Sequence, residues 1–263
     1  MESPLTSYDG VEINFMDKGA GDVSLLLIPG WTNDLSIWDK QIEYFSKNYR
    51  VVAVDLPGFG KSGSNRQDWS IPAFAKDIDV IIEKLQLENV VVVGFSMGAG
   101  IAVEAAKGDK NNIAGVVLVD NLQNIEMTYA PPLIKQLDSV FMDLVMHPTK
   151  EKLVGYGFVK YNVDEATEKV LTMLNDHSTV GWNESFHEYL KWQNESCIDA
   201  FKNVSVPVIS INSDSQPTNV AAFNKYLKSY QLKTITDTGH VIMWDQTEEF
   251  NRLLEESIQE FFK

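Results

Sequence analysis

Short runs of uninterrupted apolar residues alternate along this chain with stretches in which apolar positions recur every three or four residues. The runs "SLLLIPG", "RVVAVDLPG", "VVVV" at 90–93, "IAGVVLVD" and "VPVISIN" are apolar throughout, as strands buried on both faces must be. "VEINFMDKG" alternates apolar with polar and predicts an outer strand, and "LKTITD" predicts a further strand near the C-terminus. Helical spacing covers 35–47, with Ile37, Trp38, Ile42 and Phe45 in phase, and 71–85, with Ser70 as its cap. It returns after Ser96 through Ile101, Val103, Ala105 and Ala106, then at 221–228 and 246–262. Apolar strands separated by helices require a sheet covered on both sides. The predicted class is therefore α/β, a doubly wound and mostly parallel sheet.

The alternation fails between 121 and 201. That stretch has no clear buried strand, reads as helical, and is broken at Pro131-Pro132 and at His147-Pro148. The expected organisation is a core of residues 1–120 and 202–263, with 121–201 inserted as a helical cap over the carboxyl edge of the sheet.

Composition narrows the partners. Hydrophobic residues make up 44% of the 263, enough for a large core, and a net charge of −15 opposes a phosphate backbone, so no nucleic-acid partner is expected. One cysteine, Cys197, excludes an intrachain disulfide and a cysteine metal cluster. The N-terminal "MESPLTSYDG" has neither a basic nor an apolar signal region, and no apolar run approaches a membrane span. A soluble cytoplasmic protein without a membrane partner is the expectation.

Chemistry enters at "VVVVGFSMGAG". Gly94, Phe95, Ser96, Met97 and Gly98 fit G-x-S-x-G, placed directly after a buried strand and directly before a helix. A turn this sharp strains its central residue, and the positions two away must be small. A serine hydroxyl also needs a base, and the base an orienting acid. Among the four histidines, His147, His177 and His187 fall in the insertion with no common spacing and read as surface or packing residues. His240, in "TDTGHVIMWDQ", follows the last strand, where Gly239 lets a loop bend back over the sheet.

On these segments, together with "LLLIPGWTNDLSIWDKQI" and "VVAVDLPGFGKS", the chain resembles the α/β-hydrolase fold family over residues 11–262. The resemblance implies a Ser-His-Asp/Glu triad at the carboxyl edge, water as second substrate and no cofactor. It implies an oxyanion hole made by the backbone N–H groups of Met97 and Trp31, with Pro29-Gly30 where many relatives have His-Gly. For the acid it points to the turn after "VISI", which gives Asp214, although the glycine usual in that turn is absent and the aspartate comes one residue early. Asp120, which ends "VVLVD", is the rival.

The implied activity is hydrolysis of an ester or related acyl bond in a small to medium, mainly apolar substrate. Ser96 would be the nucleophile, His240 the base and Asp214 the acid, with Trp31 and Phe95 beside the substrate. Lactonases, C–C bond hydrolases and cofactor-free haloperoxidases belong to the same resemblance, whereas a serine at position 96 excludes the members with an aspartate nucleophile. A ligand-sensing protein on the same fold with incidental turnover is the alternative. Of the large insertion side chains Tyr129, Phe141, Met142, Met146, Tyr156, Phe158, Trp182, Phe186 and Trp192, a minority is expected to line a pocket above Ser96. "DLPGFGKS" imitates the end of a phosphate-binding loop. It carries Asp55 where that motif needs glycine, so Asp55 is read instead as holding its turn.

Overall fold

A computed structural model describes residues 5–108, 112–160, 163–176 and 180–263; His177 lies outside the described residues. Seven strands form one sheet: β1 (Phe15–Lys18), β2 (Ser24–Ile28), β3 (Arg50–Val54), β4 (Val90–Phe95), β5 (Ile113–Val119), β6 (Val208–Ser213) and β7 (Tyr230–Ile235). Their order is β1-β3-β2-β4-β5-β6-β7, and every neighbouring pair is parallel except β1 with β3. β2 and β4 are buried at every position, and this explains their unbroken apolar runs. The two edge strands, β1 and β7, retain the polar positions.

The helices are α1 (Asp39–Phe45), α2 (Ile71–Lys84), α3 (Met97–Ala105), α4 (Pro131–Met146), α5 (Lys150–Gly155), α6 (Val163–Asp176), α7 (Trp182–Glu195), α8 (Cys197–Lys202), α9 (Val220–Tyr226), α10 (Ile242–Asp245) and α11 (Thr247–Phe261). The helical pattern at 35–47 divides into a 3-10 turn, Leu35–Trp38, followed by α1. Ser70 caps α2 as expected, accepting the Ala73 N–H at 3.3 Å. α1 and α11 pack together on one side of the sheet, while α2, α3 and α8 pack on the other. Between β5 and β6 the described residues hold five helices, α4 to α8, and no strand. No helix is long and apolar enough to cross a membrane among the described residues.

The parallel ladder continues one residue beyond three successive strands. Ser96 N–H donates to Val119 O, Asp120 N–H to Ile211 O and Asp214 N–H to Ile235 O, at 3.0, 3.0 and 3.1 Å. This sets the register of the loops at the carboxyl edge, because Phe95 pairs with Val119 and Val119 with Ile211.

Candidate active site

Ser96 sits between β4 and α3 at φ 53° and ψ −121°, a conformation that a side-chain-bearing residue adopts only when its surroundings enforce it. The enforcement is steric. A Cβ on Gly94 would lie 2.2 Å from Gly98 O, and one on Gly98 would lie 2.5 Å from Pro29 O. Strand, elbow and helix can approach this closely only with glycine at both places. Ser96 Oγ forms no hydrogen bond among the described residues. It opens onto a cavity of about 560 Å³ that His240, Trp31, Phe95 and Met97 also line.

The carboxylate paired with His240 is that of Asp120. His240 Nδ1 lies 2.7 Å from Asp120 Oδ2, and Asp120 Oδ1 accepts the Ser213 N–H at 2.6 Å. Asp120 is buried, its side chain 3% exposed, whereas that of His240 is 27% exposed and faces the cavity. Asp214, expected as the partner of His240, does not take that place. Asp214 is exposed and its carboxylate accepts the Asp237 N–H at 3.0 Å. The reason is register: β5 is the immediate neighbour of β4, so the residue ending β5 stands beside Ser96, while Asp214 follows a strand one place further away.

His240 reaches the cavity on a loop that sequence reasoning located without its fastenings. Asp245 Oδ2 accepts from Gly239 N–H at 2.8 Å, from Thr238 Oγ1 at 3.2 Å and from Lys160 N–H at 2.9 Å. His240 N–H and Val241 N–H donate to Gly157 O and Phe158 O, both at 2.9 Å, so the loop is paired with the insertion. Gly239 serves close approach, since a Cβ there would lie 2.6 Å from Phe158 O. Phe95 at 4.8 Å and Phe158 at 5.5 Å between ring centroids confine the imidazole.

Across the cavity, the Trp31 and Met97 N–H groups donate to no backbone acceptor among the described residues, and Met97 begins α3, where the helix dipole favours negative charge. The Trp31 indole is fixed to the insertion. Its Nε1–H donates to Trp182 O at 2.7 Å, and its ring contacts those of Phe141, Trp182 and Phe186. Tyr129, Phe141, Tyr156, Phe158 and Phe186 all line the cavity, so the lining share of the insertion's large side chains exceeds the expected minority. Leu133, Leu137, Leu144 and Val145 on one face of α4 join them, with Tyr189 of α7. Burial pushes the Tyr129 and Tyr189 hydroxyls upward, so both are neutral.

The remaining candidates fall outside this centre. His147 and His187 are exposed, near Asp143 and Asp138 respectively, and no group of three metal-ligating side chains occurs among the described residues. Asp55 holds its turn, as read from sequence. It accepts from Leu35 N–H, Lys61 N–H and Asn14 Nδ2 at 2.6, 2.8 and 2.7 Å, while burial pushes its carboxyl up.

The relatives agree with this architecture. The chain is 25% identical over 230 residues to a bifunctional esterase/perhydrolase of Acinetobacter calcoaceticus, with 80% of each protein covered. It superposes on a thermophilic esterase from Thermogutta terrifontis with a TM-score of 0.83 and 21% identity over the whole of both chains. A bromoperoxidase from Bacillus anthracis gives a TM-score of 0.76 and 20% identity, with 99% of each chain covered. A family model described as the alpha/beta hydrolase fold matches residues 23–247, and the chain belongs to the α/β-hydrolase family.

Proposed function

We propose that this protein is a serine hydrolase that cleaves an ester or related acyl bond of an uncharged, mainly apolar substrate of small to medium size. One observation carries the reading: Ser96, on its strained elbow, opens onto the same cavity as an imidazole whose Nδ1 is held at 2.7 Å by a buried aspartate. Asp120 fixes the tautomer in which Nε2 is the base. His240 takes the Ser96 proton as Oγ attacks the acyl carbon, then returns it to the leaving alcohol. The Trp31 and Met97 N–H groups receive the oxyanion, and α3 adds its dipole. Water activated by the same imidazole releases the acyl group. The bond between Ser96 and His240 forms as substrate closes the site, as unliganded sites of this kind often require. Residues 121–201 act as the cap over this chamber.

The lining supports an uncharged substrate. No lysine or arginine borders the cavity among the described residues, and the one carboxylate there, Asp120, is engaged by His240 and Ser213. A substrate carboxylate would be desolvated without a partner, and a cation likewise.

The test is a series of p-nitrophenyl esters of increasing acyl length, plus a half-ester of matched length ending in a free carboxylate. Steady turnover of the neutral series is expected, with the half-ester strongly disfavoured and turnover lowered ~10⁶-fold by Ser96→Ala. A single stoichiometric burst followed by silence would instead support the ligand-sensing alternative.

A further inference from the structure

Beyond Val119 the acid-bearing turn leaves the sheet under strain. Asp120 and Leu122 stand at φ 44° and 58°, a region that non-glycine residues rarely occupy, aspartate more readily than leucine. The backbone ladder reaches Asp120 and resumes where Asn219 N–H donates to Gln123 O. Between these points, no backbone–backbone bond holds the turn among the described residues. Apart from the Asp120 carboxylate, which accepts the Ser213 N–H, what ties it is the side chain of Asn121.

The orientation of that amide is fixed by its partners. Asn121 Oδ1 accepts the Leu122 N–H at 2.7 Å, so Nδ2 faces the opposite way. There it donates to the backbone carbonyl of Ser96 and, at 2.8 Å, to Tyr189 Oη. One planar group with one acceptor and two donors thus joins the acid turn, the nucleophile elbow and α7. Aspartate would lack the donors, and alanine all three bonds. The α7 it reaches is itself bonded to the rest of the site. Trp182 O takes the Trp31 indole, and Trp192 Nε1–H donates to Glu104 Oε2 on α3 at 2.9 Å.

We infer that Asn121 is a positioning residue: by linking the Asp120 turn to the Ser96 carbonyl, it sets the spacing between the Asp120–His240 pair and the nucleophile, and Tyr189 anchors that link to α7. The inference rests on the hydrolase reading of the same site; Asn121 borders the cavity, but its amide is engaged by Leu122, Ser96 and Tyr189, so its role is to position the reacting groups and not to bind substrate. Its loss shifts the imidazole relative to Oγ, a displacement to which the chemical step is far more sensitive than binding is.

The experiment compares Asn121→Ala, Asn121→Asp and Tyr189→Phe with the unmodified protein by ester kinetics, thermal melting and proton NMR of the His240 Nδ1–H. For Asn121→Ala, kcat per folded molecule should fall ~10- to 100-fold with KM within about twofold. Asn121→Asp, which keeps the Leu122 bond but turns an oxygen toward the Ser96 carbonyl, should lose at least as much. Tyr189→Phe should lose only several-fold. The downfield Nδ1–H resonance expected of the unmodified protein from the 2.7 Å contact should shift or broaden in Asn121→Ala. An unchanged kcat, a rise in KM alone, or a loss wholly explained by unfolded protein would overturn the assignment. Should the unmodified protein turn over no ester, the hydrolase reading fails separately. The resonance then decides: unchanged in Asn121→Ala, it sinks the positioning role too.

Discussion

An aspartate that orients an imidazole works best when its second oxygen is already satisfied by the backbone, because the carboxylate then cannot rotate away. Asp120 meets this condition through Ser213 N–H, while Asp214 spends its carboxylate on Asp237 N–H at the surface. Asp120→Asn should therefore lower kcat by ~10⁴, since the amide would favour the wrong tautomer of His240, whereas Asp214→Asn should change it little. Steady-state ester kinetics on both variants decide between them, and the reverse order of effects would remove Asp120 from the acid's role. That Ser96 and His240 are brought to one cavity was legible in the sequence because each sits in a local signal, a glycine-framed turn and a loop after the last strand. The carboxylate paired with His240 was not, because its identity depends on which strand lies next to β4, and strand order is not written in any local stretch. Two clues pointed the right way: "VVLVD" ends directly on its aspartate, and the turn after "VISI" lacks its glycine. Asn121 gave no sequence signal at all, since an asparagine after a strand is an ordinary loop residue.

At the scale of elements, the connection from β3 to α2 shows how a loop is fixed without regular structure. Asp55 gathers Leu35 N–H and Lys61 N–H at its start. Further along, Arg66 is sealed between Asp77, at 2.8 and 2.9 Å through two nitrogens, and Asp9, at 2.8 and 3.1 Å. The side chains of Arg66 and Asp77 are 0% and 1% exposed. Removing one partner of such a pair leaves the other charge buried, and this costs more than the intact pair contributes. Arg66→Met should destabilise the fold by ~3–5 kcal/mol, and adding Asp77→Leu should recover a large part of that loss. Urea denaturation of the single and double variants measures both. Equal stability of the two would show that the carboxylate is not stranded. The apolar runs and helical periods predicted these elements well, since they follow from burial on one or both faces. Arg66 was invisible to that reasoning, because a buried ion pair joins residues whose separation carries no period.

Across the whole molecule, the insertion and the sheet share one set of fastenings. α7 is bonded to the loop after β2 through Trp31, to α3 through Glu104 and to the acid turn through Asn121; α8 packs on α3, and Lys107 pairs with Val204 beyond it. Helices so tied should not open separately from the sheet, in contrast to a lid that detaches to admit substrate. Cys197, the first residue of α8, reports on this directly. It is fully buried, and burial pushes its thiol up to about 12, so in the native state it presents neither access nor thiolate. Released by unfolding, the thiol returns to an ordinary value near ~8.5 and becomes reactive in mildly alkaline buffer. Alkylation by iodoacetamide should therefore be slowed by roughly a thousandfold or more in the native protein. Its denaturant dependence should follow global unfolding measured by circular dichroism. Rapid labelling in native buffer, or a shallower denaturant dependence than the global transition, would mean that α7 and α8 lift from the sheet on their own. The fixed frame around Ser96 would then be a property of only part of the ensemble, and a route to the cavity would open beneath α7.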